Sequence, residues 1–185
     1  MEKQHLSIVG YGTDRQEKDY YPTPQKTTEA LLKREKFEGN IWECASGDGR
    51  MAKVIESYGY NVMSSDIRTD DEVYGNKGKD FLKEIDYVDN IITNPPYRYA
   101  QEFVEHALKC SQKKVALLLK LVFLEGIGRY NLFMQGHLEK VYVFCKRQKI
   151  YKNGDVGKNS GLIAYAWFVW NKDYYGKPTI DWIPK

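Results

Sequence analysis

The sequence lacks the cysteine pairs, long apolar runs and strong charge that mark several protein classes. Its 185 residues include three cysteines, Cys44, Cys110 and Cys145, and none forms a CxxC pair. We therefore expect neither a metal site nor a disulfide framework. No apolar run is long enough to span a bilayer, and the polar N-terminus has no signal-peptide core. The formal net charge of +3 permits a polyanionic partner without requiring one. These absences predict a soluble, cytoplasmic protein.

The remaining pattern is an alternation of predicted strands and helices. Residues 1–19 are polar and are expected to form a flexible arm, and residues 20–185 a single catalytic domain. The first helix should start with Thr23 as its N-cap and Pro24 at its first position. A continuously apolar segment, residues 114–123, reads as one central strand buried on both faces. Two further strands follow in succession near the C-terminus, so the pattern predicts an α/β fold: a mostly parallel sheet with an antiparallel hairpin at one edge.

Three segments are predicted to end strands at the carboxyl edge, where such sheets bind ligands. In ECASGDG, residues 43–49, Gly47 and Gly49 would let the backbone approach a ligand. This segment is not GxGxxG and lacks the lysine of a phosphate loop, which argues against a nucleoside triphosphate. Asp66 ends the second strand and could accept hydrogen bonds from ribose hydroxyls. Asp80 and Phe81, near the end of a third strand, suit the amine and the ring face of an adenine.

The segment Asn94-Pro95-Pro96-Tyr97, NPPY, ends another predicted strand. An aromatic amine is a poor nucleophile because its lone pair is delocalised into the ring. Two acceptors at its two hydrogens would localise that pair, and the Asn94 side-chain oxygen and the Pro95 carbonyl can supply them. The two prolines restrict the backbone that holds these acceptors. Tyr97 offers a ring face against which an extruded base could stack.

With these motifs in this order, the sequence resembles the S-adenosylmethionine-dependent amino-methyltransferases. Within them it is most similar to the short adenine-specific DNA methyltransferases of phages and prophages. The resemblance runs from about Tyr20 to Trp182 and follows the motif order of the gamma group, with YPTP, residues 21–24, ahead of the glycine motif. It departs at Cys44, where the family usually has proline. The resemblance implies a Rossmann-like class I sheet of seven strands with helices on both faces, and methylation of the exocyclic amine of adenine in DNA.

The resemblance also implies S-adenosyl-L-methionine as cofactor and a role for each motif residue. The methionine end of the cofactor would lie against Tyr21 and Thr23, its ribose against Asp66, and its adenine against Asp80 and Phe81. The implied cofactor-binding residues are Tyr21, Thr23, Glu43, Ala45, Gly47, Gly49, Asp66, Asp80, Phe81 and Asn94. The implied catalytic residues are Asn94, Pro95, Pro96 and Tyr97.

Double-stranded DNA, with the target base flipped out, is the expected partner. Larger family members carry a separate target-recognition domain, for which this chain has no room. Specificity would then come from loops or from a separate partner. Arg98 either contacts a phosphate or caps the following helix. Arg147, Lys149 and Lys158 lie in a basic loop, residues 147–160, that is expected to be mobile and to contact phosphates. The alternative is a solvated charged loop.

Other substrates remain open. An RNA adenine methyltransferase would use the same chemistry and a similar pocket, and the amine of cytosine is a further possibility. A protein methyltransferase acting on a glutamine amide uses the same tetrapeptide but resembles a layout with a helical domain before the cofactor motif. Only about forty residues precede Glu43 here. A non-catalytic binding scaffold is the last alternative, and it would not need an intact NPPY.

Overall fold

The computed structural model describes residues 21–150 and 163–184. The predicted N-terminal arm, Lys158 and most of the basic loop lie outside the described residues. Within the described ranges, no helix is long and apolar enough to cross a membrane. Among these described residues, no three or more His, Cys, Asp or Glu side chains are grouped so that they could hold a metal ion.

In residues 21–150 and 163–184, eight strands form one sheet with helices packed against it. The strands are β1 Ile41–Glu43, β2 Val62–Asp66, β3 Asn76–Lys77, β4 Val88–Thr93, β5 Ser111–Lys120, β6 Leu138–Phe144, β7 Tyr165–Asn171 and β8 Thr179–Ile183. Their order in the sheet is β3-β2-β1-β4-β5-β7-β6-β8. β7 runs antiparallel to both of its neighbours, and the other neighbouring pairs are parallel. The predicted α/β fold is confirmed, with eight strands instead of seven because β8 adds to β6 outside the antiparallel pair.

Helices cover both faces of the sheet because the central strands are apolar on both sides. The helices are α1 Gln25–Leu32, α2 Arg50–Ser57, α3 Ala100–Cys110 and α4 Tyr130–Met134. In β4, Ile91 belongs to the core cluster that includes α3, whereas Ile92 belongs to the cluster that includes α1 and α2. Residues 115–119 of β5 alternate between the same two clusters and are fully buried. This alternation places the helices of the two βα crossover groups on opposite faces.

Three local predictions are wrong. Thr23 does not cap α1, because Pro24 has the extended backbone of the cap position (ψ 138°) and the helix begins one residue later than predicted. The apolar segment 114–123 is not one strand, since β5 ends at Lys120 and a 3-10 turn follows at Leu121–Leu124. The strand expected before Asp80 is reduced to β3, and Asp80 instead caps a 3-10 turn at Phe81–Lys83.

Candidate active site

A cavity of about 520 Å³ lies at the carboxyl ends of β1, β2 and β4. This volume is within the range of about 300–1,000 Å³ that is usual for small-molecule sites. Segments that are far apart in the sequence meet there because parallel strands all end at the same edge of the sheet. The predicted residues that line it are Tyr21, Thr23, Glu43, Ala45, Asp66, Asp80, Phe81, Asn94, Pro96 and Arg98.

Glu43, the last residue of β1, is a buried acid in the wall of this cavity. It is 1% exposed, and its Oε1 accepts hydrogen bonds from the Thr93 hydroxyl at 2.5 Å and from the Ala45 amide at 3.2 Å. Burial raises the pKa of Glu43 to about 8, the negative charge of Asp66 adds to the rise, and the two hydrogen bonds oppose it. The carboxyl group is therefore largely protonated at neutral pH. A cation bound beside it would favour the ionised form and lower the pKa again.

Asp66, the last residue of β2, ties two loops together. Its Oδ2 accepts the Gly47 amide at 2.8 Å, and its Oδ1 accepts the Arg68 amide at 2.8 Å. The Arg68 Nε lies 3.7 Å from the same Oδ1. Each carboxylate oxygen can accept more than one hydrogen bond, so Asp66 can still accept from a ligand in the cavity it lines. The acid thus has a structural role that its position in the sequence did not reveal.

The two motif glycines do not belong to the lining of the described cavity. Gly47 has φ 53° and contributes its amide to Asp66. Gly49 has φ 80°, and a Cβ there would come within 2.4 Å of the Tyr74 ring. Glycine is therefore required at position 49 by a left-handed backbone and by a neighbouring aromatic ring. A close approach of the Gly47 and Gly49 backbone to a ligand stays a prediction.

Asp80 and Phe81 differ in how accessible they are to a ligand. The Asp80 side chain accepts the Leu82 amide at 3.2 Å and pairs with the Lys83 ammonium at 3.1 Å. Phe81 is 2% exposed and packs edge-to-face on Trp42 at a centroid distance of 5.1 Å. Its ring is therefore part of the core, with little surface available to cover an adenine. Ile67, directly after Asp66, is a better apolar cover because it lines the cavity and is 60% exposed.

The Asn94 side chain is hydrogen-bonded through its nitrogen and not through its oxygen. Its Nδ2 donates to the Tyr21 carbonyl and to the Thr23 hydroxyl, both at 3.0 Å. Its Oδ1 is buried and has no hydrogen-bond partner among the described residues. A buried acceptor without a partner costs about 1–3 kcal/mol, so folds retain few of them. The YPTP segment thus fixes the orientation of the amide, and the oxygen left without a partner belongs to a residue that lines the cavity.

The remaining NPPY residues turn the chain away from β4. Pro95 is buried, and the Pro96 carbonyl accepts the Tyr99 amide at 2.9 Å, which starts a 3-10 turn at Tyr97–Tyr99. Tyr97 does not line the first cavity. It lines a second one of about 460 Å³, together with Arg98, which borders both. NPPY therefore separates two cavities, with Asn94 facing one and Tyr97 facing the other.

Three side chains surround the Tyr97 ring: Tyr21, which the resemblance implied only as a cofactor contact, and Tyr165 and Lys120, which the sequence did not indicate. The rings of Tyr21 and Tyr165 lie at centroid distances of 5.3 and 5.5 Å, and the Lys120 ammonium lies 4.9 Å from the Tyr97 centroid. The Tyr97 hydroxyl is buried beside Tyr165 and Asn94, and burial raises its pKa well above the usual value. The phenol is therefore neutral at physiological pH. Lys120 is the last residue of β5, so it lies at the carboxyl edge of the sheet, where the site residues also lie.

The described part of the basic loop is exposed but anchored. Arg147 and Lys149 are exposed. Between them, the Gln148 side chain accepts the Thr27 hydroxyl of α1 at 2.8 Å, and Ile150 packs against the core. These contacts attach residues 148 and 150 to the domain, and the mobility of the loop stays a prediction. A DNA contact by Arg147 or Lys149 stays a prediction.

The same fold occurs in solved methyltransferase structures. A modification subunit of a proposed type I restriction enzyme from Vibrio vulnificus matches with a TM-score of 0.61 at 12% identity, over 90% of this chain and 48% of that one. The M protein of the type I restriction enzyme EcoKI matches with a TM-score of 0.59 at 11% identity, over 83% of this chain and 44% of that one. A proposed RNA methyltransferase from Pyrococcus horikoshii matches with a TM-score of 0.58 at 13% identity, over 82% of this chain and 84% of that one.

These comparisons establish a Rossmann-like methyltransferase fold. At 11–13% identity they concern the fold alone. The chain spans about half the length of the two restriction-enzyme subunits that it matches. No protein-family model and no curated protein sequence matches it.

Proposed function

We propose that the protein is an S-adenosylmethionine-dependent methyltransferase that methylates the exocyclic amine of adenine in DNA. The observation that carries this proposal is the Asn94 side chain. Its nitrogen is fixed by Tyr21 and Thr23, and its buried Oδ1 is left without a partner among the described residues, at the wall of a cavity of ligand size. An unsatisfied buried acceptor at such a place is the feature expected of a group that completes its hydrogen bonding with a substrate.

The polar groups of the first cavity suit the cofactor from one end to the other. Glu43 would face its ammonium group, and the resulting ion pair would keep the carboxylate charged. The Thr23 hydroxyl accepts from Asn94, so its own hydrogen is available to donate to the cofactor's carboxylate. Asp66 would accept from the ribose, and Asp80 from the adenine amine, with Ile67 against the ring. S-adenosylmethionine supplies a methyl group on a positively charged sulfur.

The chain's own contribution to the reaction is to position the amine and polarise it. Asn94 Oδ1 would accept one hydrogen of the target amine, and the Pro95 carbonyl the other, which would localise the nitrogen lone pair. Both acceptors sit on a backbone restricted by two prolines, so they need no reorganisation when the substrate arrives. Removing one preorganised group of this kind typically costs about 100- to 1,000-fold in rate.

Several observations support a nucleic-acid substrate. Tyr97, Arg98, Lys120 and Arg129 all line the second cavity. A flipped base can stack on such a ring while cations contact the backbone beside it. The whole chain carries a net charge of +3. RNA adenine methylation is the second candidate. The EcoKI subunit and the proposed Pyrococcus RNA methyltransferase match with TM-scores of 0.59 and 0.58, so the fold comparison does not separate DNA from RNA as the substrate.

Transfer of a labelled methyl group tests the proposal directly. The purified protein would be incubated with methyl-labelled S-adenosylmethionine and with unmethylated genomic DNA, total RNA or a protein extract. We expect label in DNA and, after digestion to nucleosides, recovery of N6-methyladenosine in its deoxy form. Label in cytosine, in RNA or in protein would contradict the proposed substrate. Failure to bind S-adenosylmethionine in calorimetry would contradict the enzyme class.

A further inference from the structure

The second cavity is a cleft with two walls beside NPPY. One wall is the start of α3, with Gln101, Glu102 and Glu105, and the other is the chain that follows β5, with Val122, Phe123 and Arg129. Tyr97 and Lys120 also line the cleft. β4 and β5 are adjacent parallel strands, with Thr93 paired to Leu117, so the chain leaving β5 must pass next to the NPPY turn. The segment 121–129 is therefore beside the place where the target base is proposed to bind.

Arg129 folds this segment into a closed loop. Its Nε donates to the Phe123 carbonyl at 2.8 Å, and its Nη2 contacts the Glu125 carbonyl. Its guanidinium also lies 4.9 Å from the centroid of the Phe123 ring. Phe123 is 6% exposed and packs edge-to-face on Phe168 of β7 at 5.6 Å. The base of the loop is thus fixed to the core, and its tip is held in one shape.

The most exposed large apolar side chain of the loop is Ile127 at its tip, and Val122 and Leu124 are exposed to a smaller extent. Ile127 is 91% exposed, the highest value among the large hydrophobic residues that the structure describes. Gly126 precedes it with φ 108°, and a Cβ there would come within 2.8 Å of the Arg129 guanidinium. Gly128 follows it, with open space around its α-carbon. The two glycines on either side have no side chains that could cover Ile127. Because its side chain buries almost no apolar area, it adds almost nothing to the free energy of folding.

We propose that Ile127 enters the base stack of duplex DNA when the target adenine leaves it. The inference rests on the proposed function. A base that swings out of a duplex leaves a gap between its neighbours, and apolar wedges such as Ile fill gaps of this kind in bent or opened DNA. Hydrogen bonds from Arg129 close the loop, and its residues Val122, Phe123 and Arg129 line the cleft together with Tyr97, Arg98 and Lys120. Ile127, at the tip, is nearly fully exposed beside this cleft. The two acids, Glu102 and Glu105, lie on the opposite wall, on α3.

The proposal predicts a difference between paired and unpaired substrates. Ile127→Ser removes the wedge without touching either cavity wall, and Ile127→Leu keeps it. Ile85→Ser is the matched control, because Ile85 is 79% exposed and belongs to the lining of neither cavity. Native and heat-denatured unmethylated genomic DNA serve as substrates, so the recognition sequence need not be known. Calorimetry with S-adenosylmethionine reports whether each variant is folded and loaded.

We expect Ile127→Ser to lower kcat/KM on native DNA by about tenfold and on denatured DNA by less than about twofold, because an unpaired base is already out of the stack. Ile127→Leu and Ile85→Ser should behave as the wild type. Equal losses on both DNA forms, or no loss on native DNA, would overturn the wedge and leave the proposed function intact. If the unmutated protein transfers methyl groups to denatured DNA but not to native DNA, the wedge is likewise overturned and the proposed function stays intact. Absence of transfer to adenine in either form would overturn the proposed function itself.

Discussion

Replacing Asn94 with alanine separates its role in the proposed reaction from its role in holding the fold. The substitution removes two hydrogen bonds, from Nδ2 to the Tyr21 carbonyl and to the Thr23 hydroxyl. It also removes the buried Oδ1 that has no partner among the described residues. Each lost hydrogen bond costs about 1 kcal/mol, and removal of the unsatisfied oxygen returns about 1–3 kcal/mol. We therefore expect the free energy of unfolding to change by less than about 2 kcal/mol.

The catalytic effect should be much larger than the effect on stability or on cofactor binding. Loss of one preorganised acceptor should lower kcat by about 100- to 1,000-fold. Asn94 also holds Tyr21 and Thr23, which line the cavity, so the dissociation constant for S-adenosylmethionine should rise by up to about tenfold, equivalent to about 1.4 kcal/mol. Asn61→Ala is the matched control, because within the described residues the Asn61 side chain hydrogen-bonds only to the exposed Asn40 side chain, at 2.9 Å.

Three measurements on the same preparations give the answer. Single-turnover transfer of labelled methyl groups to DNA reports the chemical step, calorimetry reports cofactor binding, and urea unfolding reports stability. Wild-type turnover in a folded, cofactor-binding Asn94→Ala protein would refute the reasoning. A loss of turnover that is matched by an equal loss of cofactor affinity would mean that Asn94 serves the cavity and not the target amine.

Three other predictions concern charged groups. The folded protein binds the Glu43 proton more tightly than the unfolded chain, so this proton stabilises the fold at low pH, and its contribution is lost as the pH rises from about 4.5 towards about 8. In the cofactor-free protein, the free energy of unfolding should fall by on the order of 4 kcal/mol between pH 5 and pH 8. The Glu43→Gln variant should lack this pH dependence. Asp66→Ala should weaken S-adenosylmethionine binding by about 1.5–3 kcal/mol in calorimetry; an unchanged dissociation constant would mean that Asp66 serves only to tie Gly47 to its loop. Replacing Arg147 and Lys149 with alanine should flatten the salt dependence of duplex binding by about two units in a log–log plot; an unchanged slope would mean that both side chains are merely solvated.

The site could be located from the sequence because its residues follow strands. Each strand that ends at the carboxyl edge delivers the next few residues to one place, whatever their distance along the chain. Asp66, Asp80 and Asn94 are predicted on this basis, Glu43 is implied by the family resemblance, and all four line one cavity. Their partners could not be predicted in the same way. The amide that Asp66 holds and the ring that Gly49 must avoid belong to other segments, and no local pattern connects them.

Sequence alone determined the alternation of strands and helices, the buried central strands and the rigid turn at NPPY. These follow from periodicity and from proline geometry, which act within a few residues. Tertiary structure alone decided how Asn94 is oriented, because its two acceptors lie 73 and 71 residues earlier in the chain. It also put Tyr97 and Asn94 in different cavities and left Ile127 uncovered. Such outcomes depend on which distant groups meet when the sheet closes, and a linear pattern carries no record of those contacts.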